Sequence, residues 1–300
     1  DPVRTRNVFI DRTEDSLTLI PATADGAPPA ELENDGRDAV ALKTQRLPKK
    51  FTLYAHELDG IRASGTETEL EAVQAEFDKR MRRLRNDMEL THEHHRLGAL
   101  QGLVLDADGS TVLYDFSSIF AEAIPAATSF ELDQAGTDVR GICNAIVRGM
   151  ARSSRGAFTS STTVHALVGD DFYDALISHP NVEKTYLNWS AAADLRQGNA
   201  FQAFTFGGIT FHNYRGTDDN STVAIPTAEA KFFPVGATDV FKHVMSPMSD
   251  SLEYVNTLGE NVYSMVVRDK DRDFWVSGEL YSYPMMLCQQ PRVLRKGTLT

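Results

Sequence analysis

Between residues 66 and 97 the apolar side chains Leu70, Val73, Phe77, Met81, Leu84 and Met88 recur at steps of three and four. That spacing puts them on one stripe of an α-helix. Thr66 and Glu69 have the spacing of a capping box, and Glu67, Glu69 and Glu71 suit the positive end of a helix dipole. At 1.5 Å per residue such a helix is about 45 Å long, beyond the three to four turns usual in globular domains. A stripe of that length needs an equally long surface to cover it. Only about three heptads are present, so a long coiled coil is the weaker reading.

Ahead of the helix, residues 1–20 alternate weakly, with Val8, Ile10, Leu17, Leu19 and Ile20 as the apolar members; they read as an extended arm and then a strand. Residues 22–38 are rich in Ala, Pro, Gly and acids, including Gly26, Pro28, Pro29 and Gly36, and make an exposed loop tip. Residues 39–54 are extended again and carry Lys43, Arg46, Lys49 and Lys50. Two extended arms joined by an apolar-poor tip form a long projecting hairpin.

Behind the helix, Leu103-Val104-Leu105 and Val112-Leu113-Tyr114 flank Asp106-Ala107-Asp108-Gly109, a β-hairpin signal. Residues 134–151 are expected to be helical, with Val139, Ile142, Cys143, Ile146 and Met150 on one side. Residues 164–168 read as a buried strand and 170–178 as a short helix stopped before Pro180. Residues 204–214 and 222–225 read as two strands joined by a polar turn at 216–221. From Lys231 on, aromatic-rich strand patterns alternate with short loops. The fold class is α+β, with helices and antiparallel strands rather than regular βαβ alternation.

The chain has 300 residues, 42% hydrophobic and 24% charged, the composition of a folded protein rather than a disordered one. No apolar run approaches the roughly 20 residues of a membrane span. The first residues are charged and begin without Met, so no secretory signal is expected and the start reads as trimmed. Cys143 and Cys288 allow at most one disulfide and exclude metal motifs built on paired cysteines. Thirty basic against 42 acidic residues leave a net charge of −12, which argues against a protein whose main task is gripping nucleic acid.

Chemical motifs are few. His92-Glu93-His94-His95 approaches a zinc-protease motif, but the fifth position is Arg96, so the pair of histidines one helical turn apart is missing. The favoured expectation there is a polar helix end with solvated imidazoles. Asp106-Ala107-Asp108-Gly109 starts like a calcium loop but lacks the closing Glu and is read as a turn. Gly169-Asp170-Asp171 is read as a cap for the helix that follows. The basic group Lys79, Arg80, Arg82, Arg83 and Arg85 shares its helix with eight acids between Glu67 and Glu93, which reads as a solvated or salt-bridged interface. No nucleophile elbow, Walker loop or dinucleotide fingerprint occurs. An arm and a hairpin that cannot bury their surface within their own chain point to self-assembly.

Several strings, in order along the chain, carry a family likeness. Val3-Arg4-Thr5-Arg6 followed by Leu17-Thr18-Leu19-Ile20-Pro21 resembles the opening of the lambda-type major capsid proteins of tailed bacteriophages, the phage capsid E family. Leu97-Gly98-Ala99-Leu100-Gln101-Gly102 running into Leu105-Asp106-Ala107-Asp108-Gly109-Ser110 is similar to the segment that follows their long helix. Further matches are His165-Ala166-Leu167, 174–180, Phe206-Gly207-Gly208-Ile209-Thr210-Phe211, Phe233-Pro234-Val235-Gly236, Val255-Asn256-Thr257-Leu258-Gly259 and Cys288-Gln289-Gln290-Pro291-Arg292-Val293-Leu294.

The resemblance implies an HK97-like capsid fold. Residues 1–15 would be the N-terminal arm and 16–60 an E-loop reaching over a neighbouring subunit. Residues 61–130 would be a peripheral domain with 66–97 as its spine helix, 131–225 an axial domain, and 226–300 the return to the peripheral domain. It implies a structural protein rather than an enzyme, self-assembling into hexamers and pentamers of an icosahedral phage head around double-stranded DNA held without sequence-specific binding. Portal, scaffold and decoration proteins are the further expected partners; no cofactor, metal or membrane is. The place is the virion, after assembly in the host bacterial cytoplasm. The expected subunit-interface residues are Arg4 and Arg6, pairing with acids on a neighbour, and Pro28, Pro29, Glu31 and Glu33 at the hairpin tip. Lys43, Lys49 and Lys50 lie in or near the E-loop, where some members of the wider fold form Lys–Asn cross-links, but no partner Asn or catalytic Glu is matched here. Met81, Leu84 and Met88 are expected to hold the helix to its sheet. The rival readings are an encapsulin-like cellular shell and, more distantly, a metal-dependent hydrolase using His92, Glu93 and His95.

Overall fold

The computed structural model describes residues 1–13, 37–58, 73–187, 203–217, 219 and 223–300. The expected helix cap at Thr66 and Glu69 and most of the hairpin tip lie outside the described residues.

Strand β1 (Asn7–Thr13) pairs antiparallel with β2 (Arg37–Lys43), Asn7 opposite Lys43 and Thr13 opposite Arg37. This is the described part of the expected hairpin, and its pairing starts at Asn7. Strand β3 (Leu47–Tyr54) and a single helical turn α1 (Ala55–Leu58) follow. The long helix α2 runs Val73–Gln101, four residues past its expected end. Gly98 does not stop it; Gly98 lets the last turns pack against Val104. The stop is Gly102, whose φ of +78° reverses the chain as glycine readily does after a helix C-terminus. Strands β4 (Leu103–Leu105) and β5 (Val112–Asp115) form the expected antiparallel hairpin. Asp108 holds its turn by accepting from the amides of Ser110 and Thr111, at 2.9 and 2.8 Å.

After α3 (Phe116–Ile119) and the two-residue β6 (Thr128–Ser129), helix α4 spans Val139–Ser153. It starts at the first residue of its apolar pattern, five residues later than the expected span of 134–151, because Asp138 caps it, accepting from the Gly141 amide at 3.0 Å. Strand β7 (Thr163–Val168) and helices α5 (Asp170–Ser178) and α6 (Pro180–Leu187) come next. The stretch read as one strand from 204 is a tight hairpin, β8 (Phe204–Phe206) and β9 (Ile209–Asn213). Gly207 and Gly208 turn it with φ of +58° and +80°, which a two-residue primed turn requires. Residues 223–225, expected in a strand, form none; Val223 and Ile225 are instead buried against Leu97 of α2. The C-terminal third supplies β10 (Glu229–Val235), β11 (Phe241–Met245), β12 (Tyr263–Arg268), β13 (Trp275–Ser282), β14 (Pro284–Cys288) and β15 (Arg295–Thr298).

Three of the buried clusters among the described residues organise the elements. A six-stranded sheet in the order β6-β15-β10-β7-β9-β8 is antiparallel except where β7 meets β9 and β15 meets β6. Cys143, Ile146 and Met150 of α4 and Phe172 and Leu176 of α5 pack with Phe211 and Phe232 from this sheet. A three-stranded sheet, β12-β13-β3, receives α2: Leu84, Met88 and Leu280 are buried together, with Met81, Phe51 and Leu47 at the margin. The helix is thus held by the side chains expected to hold it, each buried one contributing roughly 1.5–3 kcal/mol. The third core joins Ile10 of the hairpin and Ala99 of α2 to Val104, Phe116, Val244 and Met285. Helix α2 therefore has to be long, since it packs against β3 and β13, β14 and β4, and shares the third core with the base of the hairpin.

Candidate assembly surfaces

The N-terminal arm runs beside β11, with the Val3 amide donating to the Met245 carbonyl at 2.9 Å. Arg4 donates to the Asn256 carbonyl at 3.4 Å. Arg6 donates to the Thr44 carbonyl at 3.0 Å and to Ser249 Oγ at 3.3 Å, and its guanidinium lies 5.0 Å over the Tyr283 ring. Both arginines are engaged within their own chain. Lys49 pairs with Asp87 of α2 at 2.7 Å, tying β3 to the helix, while Lys43 and Lys50 are exposed. Pro28, Pro29, Glu31 and Glu33 lie outside the described residues. Two further arginines, named in the sequence only as members of basic groups, complete this side. Arg46 pairs with Asp250 at 2.5 Å over the Tyr281 ring, and Arg80 bridges Glu76 and Glu57, both at 2.9 Å.

A second feature is apolar surface that one chain leaves uncovered. Phe9 on the hairpin is 70% exposed and Leu252 is 96% exposed; Val255, Leu258, Val266 and Phe274 are also open. Isolated exposed leucines are ordinary. Leu252, Val255 and Leu258 share one short loop, which is less so.

The histidines differ from the expected solvated helix end. His92 and His95 are both buried, 1% and 3% exposed, because α2 continues past them beneath β13 and β14. The Ser282 hydroxyl donates to the Asn261 carbonyl, so His92 Nε2 is the donor in its 2.9 Å contact with Ser282 Oγ. His92 Nδ1 then carries the lone pair, buried without a partner. Its ring meets that of His243 edge to face at 6.4 Å. Burial first, with Arg96 adding, pulls His92 down to about 4, and burial with His94 does the same for His95. The string resembles a ligand set but is helix packing. Among the described residues no group of three or more His, Cys, Asp or Glu is placed to hold a metal ion.

Other reactive groups are similarly retired. Burial pushes the Cys143 and Cys288 thiols up to about 12, and both cysteines are free. His165 and His212 stack across β7 and β9 with their nitrogens 2.9 Å apart, and burial lowers both. The cap expected from Asp170 and Asp171 is not made by either carboxylate. Gly169 occupies the cap position, and Asp170 accepts from Asn213 Nδ2 at 2.9 Å. Gly169 is there because a Cβ would lie 2.4 Å from the Pro226 carbonyl.

Comparison with known proteins agrees with this inventory. The mature capsid of bacteriophage PhiM1 has a similar fold, with a TM-score of 0.56 at 12% identity over 99% of this chain and 82% of that one. The cyanophage Pam1 capsid is similar at TM-score 0.56 and 10% identity, covering 98% of this chain and 85% of that one. A long helix packed on the sheet of β3 and β13 and continuing past β14 to β4, with an N-terminal arm laid along β11, belongs to the HK97-like fold of these capsid proteins. In sequence, the major capsid protein of Salmonella phage Felix O1 is 24% identical over 98% of this chain and 87% of its own length. That of Pseudomonas phage KPP10 is 25% identical over 88% and 82%. The family described as phage major capsid protein E matches residues 1–299, and the chain belongs to that family. It is a structural capsid protein of a bacteriophage head. No helix among the described residues is long and apolar enough to cross a membrane.

Proposed function

We propose that this chain closes into hexamers and pentamers of an icosahedral head that encloses double-stranded DNA. The observation that carries this reading is the β1–β2 hairpin, which among the described residues forms a sheet only with itself and presents Phe9 70% exposed. A second copy supplies the surface that such an element lacks. In this arrangement residues 1–15 are the arm, 16–60 the E-loop, 61–130 and 226–300 the peripheral domain, and 131–225 the axial domain. Because β1 already pairs from Asn7, the rigid base of the E-loop takes in part of the arm. The tip at Pro28, Pro29, Glu31 and Glu33, with Lys43 and Lys50, faces a neighbouring copy. Arg4, Arg6 and Lys49 brace that side from within. Portal, scaffold and decoration proteins complete the head, and assembly takes place in the host cytoplasm. Negative-stain electron microscopy with light scattering on the purified chain is the test, and closed shells or capsomer rings are the expected result. A 33.2 kDa particle at every concentration, alone and with the other head proteins co-expressed, would overturn it.

A further inference from the structure

From Val139 to Gly169 this acidic chain contains no Asp or Glu, although its net charge is −12. Within that stretch Arg140, Asn144, Arg148 and Arg152 follow each other at intervals of four on α4. They form one row along the helix, each step about 6 Å. The opposite face, Val139, Cys143, Ile146 and Met150, is buried in the six-stranded core, so the row points outward. All three arginines are exposed, and among the described residues none has an ion pair or hydrogen bond. The nearest carboxylate in sequence, Asp138, is taken up by the Gly141 amide. The arginine at the far end, Arg155, is not part of the row, since it pairs with Glu122 at 3.1 Å.

At the N-terminal end of the row Arg140 and Asn144 line an open pocket of about 190 Å³ together with Thr185, Thr205 and the Gly207–Gly208 turn. An ideal Cβ at Gly208 would meet nothing within 4 Å, so the backbone there is open to approach. No large apolar side chain is exposed on α4. An acidic helix from another protein would bury such side chains; a phosphodiester backbone would not. Guanidinium and amide donors without apolar flanks suit phosphate oxygens.

We infer that the Arg140–Arg148–Arg152 row of α4 is a sequence-independent contact for the phosphate backbone of double-stranded DNA. The inference rests on the proposed shell and gives α4 a direction in it, towards the packaged DNA. Three arginines per subunit are few, and the acidic remainder of the chain opposes tight holding. The contact therefore organises DNA against the wall without trapping it.

The test is fluorescence anisotropy of the full chain with 30-base-pair duplexes of two unrelated sequences, from 50 to 200 mM NaCl. Three neutralised phosphates give a slope of log affinity on log salt of about −2.7, hence a roughly 40-fold loss over that range. Both duplexes are expected to behave alike. R140Q/R148Q/R152Q should abolish binding at 50 mM, whereas R82Q/R83Q, which removes two exposed charges from α2, should leave it unchanged. Absence of binding by the unaltered chain at 50 mM, equal loss in both variants, or tighter binding of poly-glutamate than of DNA would each overturn the inference. Electron microscopy of the same preparations separates this from the shell reading. Shells that form without arginine-dependent DNA binding sink only the contact; the absence of shells or capsomers sinks the shell reading.

Discussion

His92 is kept neutral by its surroundings, and this has a consequence in pH. Its folded value of about 4 lies below the ordinary 6.5, so between those limits the unfolded chain takes up a proton that the folded one refuses. Stability is therefore complete above pH 6.5 and lost as pH falls towards 4, by roughly 3 kcal/mol for this histidine. His95, also at about 4, adds to the slope in the same direction. Thermal unfolding followed by circular dichroism should show a midpoint that drops through this window. H92Q, whose amide can still donate to Ser282, should show a shallower drop; a flat midpoint in the parent chain would refute the burial account. A second residue-level expectation concerns Gly169, where a Cβ has nowhere to go between the Pro226 carbonyl and Thr227 Cα, 2.4 and 2.5 Å away. G169A should lower stability by about 2 kcal/mol or more in urea titration, and unchanged stability would mean that the backbone yields there. Neither role was legible in the sequence. His-Glu-His-His reads as polar, and its burial depends on β13 and β14, nearly 200 residues away in the chain. The glycine reads as part of a helix cap, and its close approach to Pro226 shows only once its neighbours are in place.

At the level of elements, what was legible was whatever the chain encodes locally. The stripe Met81, Leu84, Met88 announces α2 because one periodicity runs unbroken for many turns, and the Asp-Gly turn announces β4 and β5. The hairpin β8–β9 was missed because Phe204 to Asn213 is apolar on both sides of Gly207–Gly208, so no change of period marks the turn. The end of α2 was placed early because two glycines compete for it, and only the packing of Gly98 on Val104 shows which one breaks the helix. The junction of α2 with β13 gives the measurable consequence. Leu84 is 5% exposed and sits with Met88 and Leu280, so L84A should destabilise by about 2–5 kcal/mol in chemical unfolding. Its effect should reach assembly too, since α2 shares a core with the hairpin base, Ala99 and Ile10 belonging to one buried cluster. A loss below ~1 kcal/mol would mean that the helix is held mainly by its ion pairs.

For the whole molecule the question is which force closes copies into a shell. Each chain carries −12, so mutual repulsion opposes assembly at long range. Every copy carries charge of the same sign, whereas the uncovered apolar side chains Phe9, Leu252, Val255, Leu258, Val266 and Phe274 attract without regard to it. Leu252 separates the two forces cleanly. At 96% exposure it contributes almost nothing to the stability of its own chain, so L252K should leave the unfolding curve of the unassembled chain within ~0.5 kcal/mol of the parent. If the loop at Ser251 to Leu258 is covered by a neighbour, the same change places a charge in a contact and should cut the yield of shells several-fold in light scattering. Salt provides the complementary reading. At ~1 M NaCl the Debye length shrinks to about 3 Å, which weakens attractive and repulsive exposed charges together and leaves apolar contacts intact. Assembled shells should therefore survive that concentration, and prompt disassembly would assign closure to ion pairs between copies instead.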